Sequence, residues 1–223
     1  MKIFAVLVIA LAVLSTACED PAANKPKATT SEPTNAASSN TAANSTATAA
    51  TTATKGEALA LNPENSSVEF TGSKVTGKHD GGFEKFTGTI DLVNAKPEES
   101  SVKVDIEMAS VVTDAAGLTD HLKTGDFFEV EKFPKSTFTS TKIAADTAKG
   151  ANAYTVTGDL EMRGVKKSIT FPATITVSDA DVAVKAEFAI NRRDFGINYA
   201  GMANDLIRDD VVMRLDLKSP RKK

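Results

Sequence analysis

Few side chains in this sequence could carry chemistry: two histidines, one cysteine and an adjacent pair of arginines. Imidazole is the group best suited to proton transfer or metal ligation near neutral pH. His79 lies in the glycine-rich run Gly77-Lys78-His79-Asp80-Gly81-Gly82, His121 lies in a stretch of helical character, and neither has a partner at a recognisable spacing. His79 is expected in solvent, and His121 in a structural hydrogen bond. No nucleophile–base pair, phosphate-binding loop, zinc pattern or spaced carboxylate pair is present, so the residues point away from catalysis and call for no cofactor and no metal. Arg192 and Arg193 directly follow a strand pattern. They either meet a phosphate or other headgroup at one end of the domain or make surface salt bridges.

Cys18 speaks to location. Lys2 is followed by an uncharged apolar run from Ile3 to Leu14 and then by the small residues Ser15, Thr16 and Ala17. This is the order of a secretory signal peptide, and the run is short of the roughly 20 residues of a membrane span. A cysteine directly after such a cleavage site is the pattern of a bacterial lipoprotein, although Ser15 stands where an aliphatic residue is usual. The sequence therefore predicts an exported chain, held by fatty acyl chains such as palmitate on Cys18 in the bacterial cell envelope, facing the periplasm or on the outer membrane. As the only cysteine, it leaves no intramolecular disulfide.

Basic and acidic residues, 26 against 29, give no strong field of either sign and disfavour nucleic acid as a partner. From Glu19 to about Lys55 the chain is Ala, Thr, Ser, Asn and Pro with no aromatic residue, too polar to offset its ordering entropy. It is expected to be a tether, holding the domain on the order of 35 Å from the bilayer as a random coil. The predicted organisation is a signal peptide over 1–17, a lipidated cysteine and disordered linker over 18–56, and one folded domain over 57–223.

The elements that must position any site are strands. Apolar residues recur every second position, as in Val102, Val104, Ile106 and Met108 against Lys103, Asp105 and Glu107, the mark of a sheet with one buried face. Eight such segments joined by turn signals, Met162-Arg163-Gly164-Val165 among them, predict an all-β, eight-stranded antiparallel barrel that removes its edges by closing. Between the third and fourth segments, residues 113–133 break the alternation and predict two short helices across one mouth, ended by Pro134. The inward set comprises Val68, Phe70, Phe86, Ile90, Val104, Ile106, Phe138, Val156, Leu160, Ile169, Phe171 and Phe188, with Leu122, Phe127 and Phe128 at the helical mouth. In the same phase stand Gly72, Gly88, Gly158, Ala173 and Ala186. These small residues either leave a lumen or are matched by the phenylalanines opposite. A lumen would make the domain a carrier of an apolar ligand; a solid barrel would make it an interaction module, acting through loops such as 79–82 or 198–208.

Three spaced stretches resemble the YceI-like family. The first runs from Ser110-Val111 and Thr113 through His121-Leu122-Lys123-Thr124, Asp126-Phe127-Phe128 and Phe133-Pro134 to Phe138-Thr139-Ser140. The second is Gly158-Asp159-Leu160 with Met162, Gly164-Val165 and Lys167. The third is Phe188, Ile190, Arg192 and Phe195-Gly196-Ile197. The resemblance covers about 65–217, and departs where many members carry an Arg-Asp pair, here Leu118 and Thr119. It implies a lipocalin-like barrel with a tunnel for a long apolar lipid, polyisoprenoid-like, lined by the inward residues named above. Metabolic labelling with an alkyne fatty acid should tag the wild-type chain and spare Cys18→Ala; equal label on both would remove the anchor.

Overall fold

The computed structural model describes residues 19–33 and 56–221. The predicted signal peptide, Cys18 and the remainder of the linker lie outside the described residues. The strands are β1 (Thr29–Ser31), β2 (Glu57–Leu61), β3 (Ser67–Lys74), β4 (Gly77–Phe83), β5 (Phe86–Leu92), β6 (Ser101–Glu107), β7 (Val111–Thr113), β8 (Lys135–Ala145), β9 (Ala153–Met162), β10 (Val165–Val177), β11 (Asp181–Asn191), β12 (Gly201–Met202), β13 (Asp205–Leu206) and β14 (Asp210–Pro220). Among the described residues one α-helix, α1, spans Ala116–Leu122.

A 12-stranded sheet runs in the order β2-β5-β6-β8-β9-β10-β11-β14-β3-β4-β7, with β1 beside β10; β12 and β13 form a separate hairpin. The fold is all-β and mostly antiparallel, strongly curled into a half-barrel. This corrects the eight-stranded closed barrel expected from periodicity. Among the described residues no backbone ladder joins β2 to β7; β2 instead approaches β14 through the Ser219 hydroxyl, which donates to the Ala60 carbonyl at 2.7 Å. Of the additional strands, β4 and β1 escaped detection because their sequences do not alternate: β4 is mostly glycine and polar residues, and β1 is Thr-Thr-Ser.

The long strands follow from their side chains. On β14, Val211, Met213, Leu215 and Leu217 face one way, and across the β11–β14 ladder they stand opposite Ile190, Phe188, Ala186 and Val184. The Met162–Val165 hairpin forms as expected, with Arg163 and Gly164 at φ of 53° and 72°, the left-handed pair that matches strand twist.

The helical insert departs from expectation. After α1 the chain continues in turns rather than a second helix. Glu129 takes a φ of 49°, which a helix cannot propagate through, while its N–H and that of Phe127 both reach the Thr124 carbonyl. Arg163 pins this turn from the hairpin, donating to the carbonyls of Gly125 at 2.8 Å and Gly196 at 2.7 Å.

The predicted tether is also corrected over its first part. Pro172 can donate no ladder hydrogen bond, and the β10–β11 ladder stops just short of it, at Thr174 and Lys185. Above that point β10 and β11 splay, and residues 26–31 fill the seam. Thr29–Ser31 pair antiparallel with Thr170–Ser168, while Ala28 N–H donates to the Ala189 carbonyl and Ala189 N–H to the Pro26 carbonyl, each at 2.8 Å. Ala22 is buried against Ala189 and Val212, and Lys25–Glu187, Lys27–Asp210 and Asp20–Arg208 ion pairs flank it. Composition did not reveal this strand because its partners are backbone groups far along the chain.

Deleting residues 19–33 should strip both seam edges of their partner. Hydrogen exchange at Ser168, Thr170 and Ala189 is expected to accelerate and the melting temperature to fall by several degrees, each lost kcal/mol being worth about 2–4 °C in a domain of this size. Unchanged protection at those amides would place the segment elsewhere.

Candidate functional site: an apolar tunnel through the half-barrel

The inward side chains meet across the curl in part, in buried clusters such as Leu59, Phe86 and Val104 with Val68, Val182 and Leu217. They enclose a cavity of about 400 Å³, lined almost wholly by hydrocarbon. On β14 alone, Val211, Met213, Leu215 and Leu217 all face it, which at roughly 3.3 Å per residue gives a course of about 20 Å. It extends from Leu118, Leu122, Phe127 and Phe128 at the α1 end to Leu92, Pro97, Val177 and Val182 at the other. Ile106, Phe138, Leu160, Val184, Met213 and Leu215 point inward yet are only half-buried, their remaining surface opening on this space.

Of the predicted lining residues all but Phe86 surround the cavity: Val68, Phe70, Ile90, Val104, Ile106, Leu122, Phe127, Phe128, Phe138, Val156, Leu160, Ile169, Phe171 and Phe188. Phe86 is buried instead in a packed cluster with Leu59, Leu61, Val68 and Val104. The walls are shaped by aromatic contacts. Phe171 stacks on Phe188 with centroids 4.2 Å apart, and Phe138 tilts against Phe171 at 5.8 Å.

The small inward residues divide into two kinds. Gly72 lines the cavity and a Cβ there would meet nothing within 4 Å. Gly158 is occupied by its neighbour, since a Cβ would fall 2.4 Å from the Phe138 ring, and Gly88 is overlaid by Leu61 and the Lys103 carbonyl. Thus only part of the expected lumen is open; cross-strand phenylalanine and leucine fill the rest.

The helical insert caps one end. The His121 ring lies edge-on to Phe127 and Tyr199 at 5.0 and 5.1 Å, and its Nε2 contacts the Asp126 carboxylate at 2.8 Å. Thr119, at one of the positions where the sequence departs from its resemblance, accepts from the Thr113 N–H at 2.9 Å, and its neighbour Leu118 lines the cavity. His79 is not on a loop. It sits on β4 in phase with Phe83, lines the cavity, and pairs through Nδ1 with Asp114 at 2.8 Å. That hydrogen bond is the main cause holding the Asp114 carboxyl below the usual carboxylate range.

Of the two arginines Arg192 borders the cavity, with its guanidinium spent on protein acceptors. Arg192 is buried and each of its guanidinium nitrogens is engaged: Nε with the Arg208 carbonyl at 3.0 Å, one terminal nitrogen with the Ile197 carbonyl at 2.7 Å, the other with the Ile207 carbonyl and Asp209. Burial pulls its pKa down, and Asp209 opposes that. Arg193 pairs with the same carboxylate at 2.6 Å. Together they hold the 192–209 loop over the barrel end. Carbonyl acceptors leave no trace in a sequence, which is why spacing alone could not assign this role.

Residues 59–219 match the family model described as the YceI-like domain. The chain belongs to the YceI-like family. Among relatives, the UPF0312 protein of Pseudomonas putida strain GB-1 is 34% identical over 137 residues, covering 59% of this chain and 70% of its own length. The YceI-like fold is shared with BcnA of Burkholderia cenocepacia, at a TM-score of 0.64 and 24% identity over 71% of this chain and 98% of BcnA. A YCEI protein of Campylobacter jejuni aligns at 0.57 and 27% identity, over 64% of this chain and 85% of that one. A polyisoprenoid binding domain from Saccharophagus degradans aligns at 0.59 and 19%, over 74% and 99%.

The glycine contrast is testable by thermal denaturation. Gly158→Ala must displace Phe138 and should cost about 1–3 kcal/mol as an overpacked core site. Gly72→Ala, facing open space, should be neutral or stabilise by up to about 1 kcal/mol. Equal effects would mean that the two glycines share one environment.

Proposed function

We propose that this YceI-like domain binds one long apolar lipid, polyisoprenoid-like, within the tunnel, without catalysis, as an envelope carrier or sequestering protein held near the membrane by acylated Cys18. The observation that carries this reading is the hydrocarbon-lined cavity of about 400 Å³. A site of that size falls within the roughly 300–1,000 Å³ of small-molecule pockets, and a cavity with such walls excludes water and takes apolar guests. Each buried methylene contributes about 0.8 kcal/mol, so ten supply about 8 kcal/mol before the costs of association. The same fold in the Saccharophagus degradans polyisoprenoid binding domain supports the choice of ligand class.

Selection inside such walls rests on length and girth rather than polarity, because methylene-scale discrimination in an apolar pocket reaches only about 1–3 kcal/mol. The half-buried state of Met213 and Leu215 argues against the solid-barrel alternative, in which these side chains would be packed on all sides.

Native mass spectrometry of the domain from its own host should show one bound lipid, released on denaturation. Leu215→Trp, which places an indole across the middle of the tunnel, should abolish that adduct while leaving the β-sheet circular dichroism unchanged. A wild-type domain that is consistently lipid-free, or a variant that keeps its adduct, would overturn the proposal.

A further inference from the structure

Large apolar side chains are exposed at one end of the half-barrel. Val75 is 53%, Met202 68% and Leu206 49% exposed. They are not scattered. Val75 forms the β3–β4 turn, Met202 and Leu206 belong to the β12–β13 hairpin, and Val75 N–H donates to the Leu206 carbonyl at 3.1 Å. The two turns are stitched further by Asp205, which accepts from the Thr76 N–H at 3.1 Å and pairs with Lys74 at 2.5 Å. The apolar side chains are thus held on a defined rim, where Lys74 is paired with Asp205. Clustered exposed hydrophobes mark a surface meant to be covered, whereas single ones do not.

Two further observations name what covers it. First, the rim borders the tunnel. Lys74 and Ile207, the chain neighbours of Val75 and Leu206, both line the cavity, as do Gly72 and His79, and the Lys74 and His79 side chains remain 39% and 38% exposed. Second, the N-terminal segment leads there. After filling the β10–β11 seam towards its own N-terminus, it reaches Asp20, whose carboxylate pairs with Arg208; the Arg208 N–H in turn donates to the Ser73 carbonyl at 2.8 Å. From Asp20 to Cys18 is two residues, a reach of about 7 Å at most.

We infer that this rim is a bilayer-docking surface: Val75, Met202 and Leu206 insert into the lipid interface and turn the adjoining tunnel opening towards the membrane. The inference rests on the reading of the tunnel as a lipid site and of Cys18 as the membrane end of the chain. A free tether of residues 19–55 would let the domain tumble at a distance; a docked 19–33 fixes which face meets the membrane. Apolar side chains on a rigid rim bury about 5–10 Å into the headgroup–acyl boundary. A lipid tail can then pass from bilayer to tunnel without crossing water.

The chain contains no tryptophan and one cysteine, so both can be placed at will. The chain is coupled through Cys18 to a maleimide-headgroup lipid in phosphatidylcholine vesicles, which tethers it whether or not the cell acylates that thiol. Single reporters Met202→Trp, Leu206→Trp and, at the opposite end in the exposed 146–152 turn, Ala151→Trp are compared. Acyl-chain-brominated lipid should quench and blue-shift the reporters at 202 and 206 and leave that at 151 unaffected. Absence of quenching at 202 and 206 on tethered vesicles, or equal quenching at all three, overturns the rim. Neither result touches the lipid adduct seen by mass spectrometry, so failure of the rim and failure of the tunnel are read separately.

Discussion

A sheet that turns one apolar face inward must bury that face, and in this chain the inward side chains fill only part of the space between them. Everything else in the structure follows from that shortfall. The strands curl, the two ends of the sheet stop without a shared ladder, and the space between the walls stays apolar and unfilled by the protein's own atoms. Phe138, Phe171 and Phe188 keep the walls apart on one side as well as lining them, with Phe138 set into the room that Gly158 leaves. Such a chamber loses dispersion contacts along its whole length unless something occupies it.

The ends of the chamber are built with different chemistry from its middle. At the α1 end polar groups appear, yet they are spent on one another: His121 on Asp126, His79 on Asp114, Arg192 on a ring of backbone carbonyls. This arrangement stiffens loops that have little regular structure, and it keeps charge from projecting into the hydrocarbon interior. Asp80 shows the same economy on the outer face. Its carboxyl is held below the usual range chiefly by the Thr71 hydroxyl, with Arg214 assisting, which ties β4 to β3 and β14 where glycines supply no packing.

How much of this was legible beforehand depends on which groups make the contact. Period-two alternation marks side chains that face one way, so the apolar wall residues of the long strands could be read from the sequence, whereas Phe83, Ile143, Ile197 and Ile207, outside the alternating runs, could not. Phe86 could not, because alternation tells which face a residue takes but not whether β2 lies over it. Glycine announces a missing side chain without saying who uses the space, and Gly72 and Gly158 have opposite answers. The second predicted helix is broken at Glu129 by its backbone angle, and the first part of the tether was missed because β1 is a polar strand that pairs in a gap made by Pro172 and the splay above Thr174.

That gap has a consequence in time. Thr29 is paired with Thr170 and Lys27 with Ala189, so the strand nearest the start of the chain has no place to go until β10 and β11 exist. Long-range pairings of this kind are formed late, after the loop-closure cost has been met by other contacts. Without residues 26–31 the wall has a slot between β10 and β11, with Ile169 and Ile190 beside it. Only with that strand in place is the wall continuous from β10 to β11 along the whole length of the cavity.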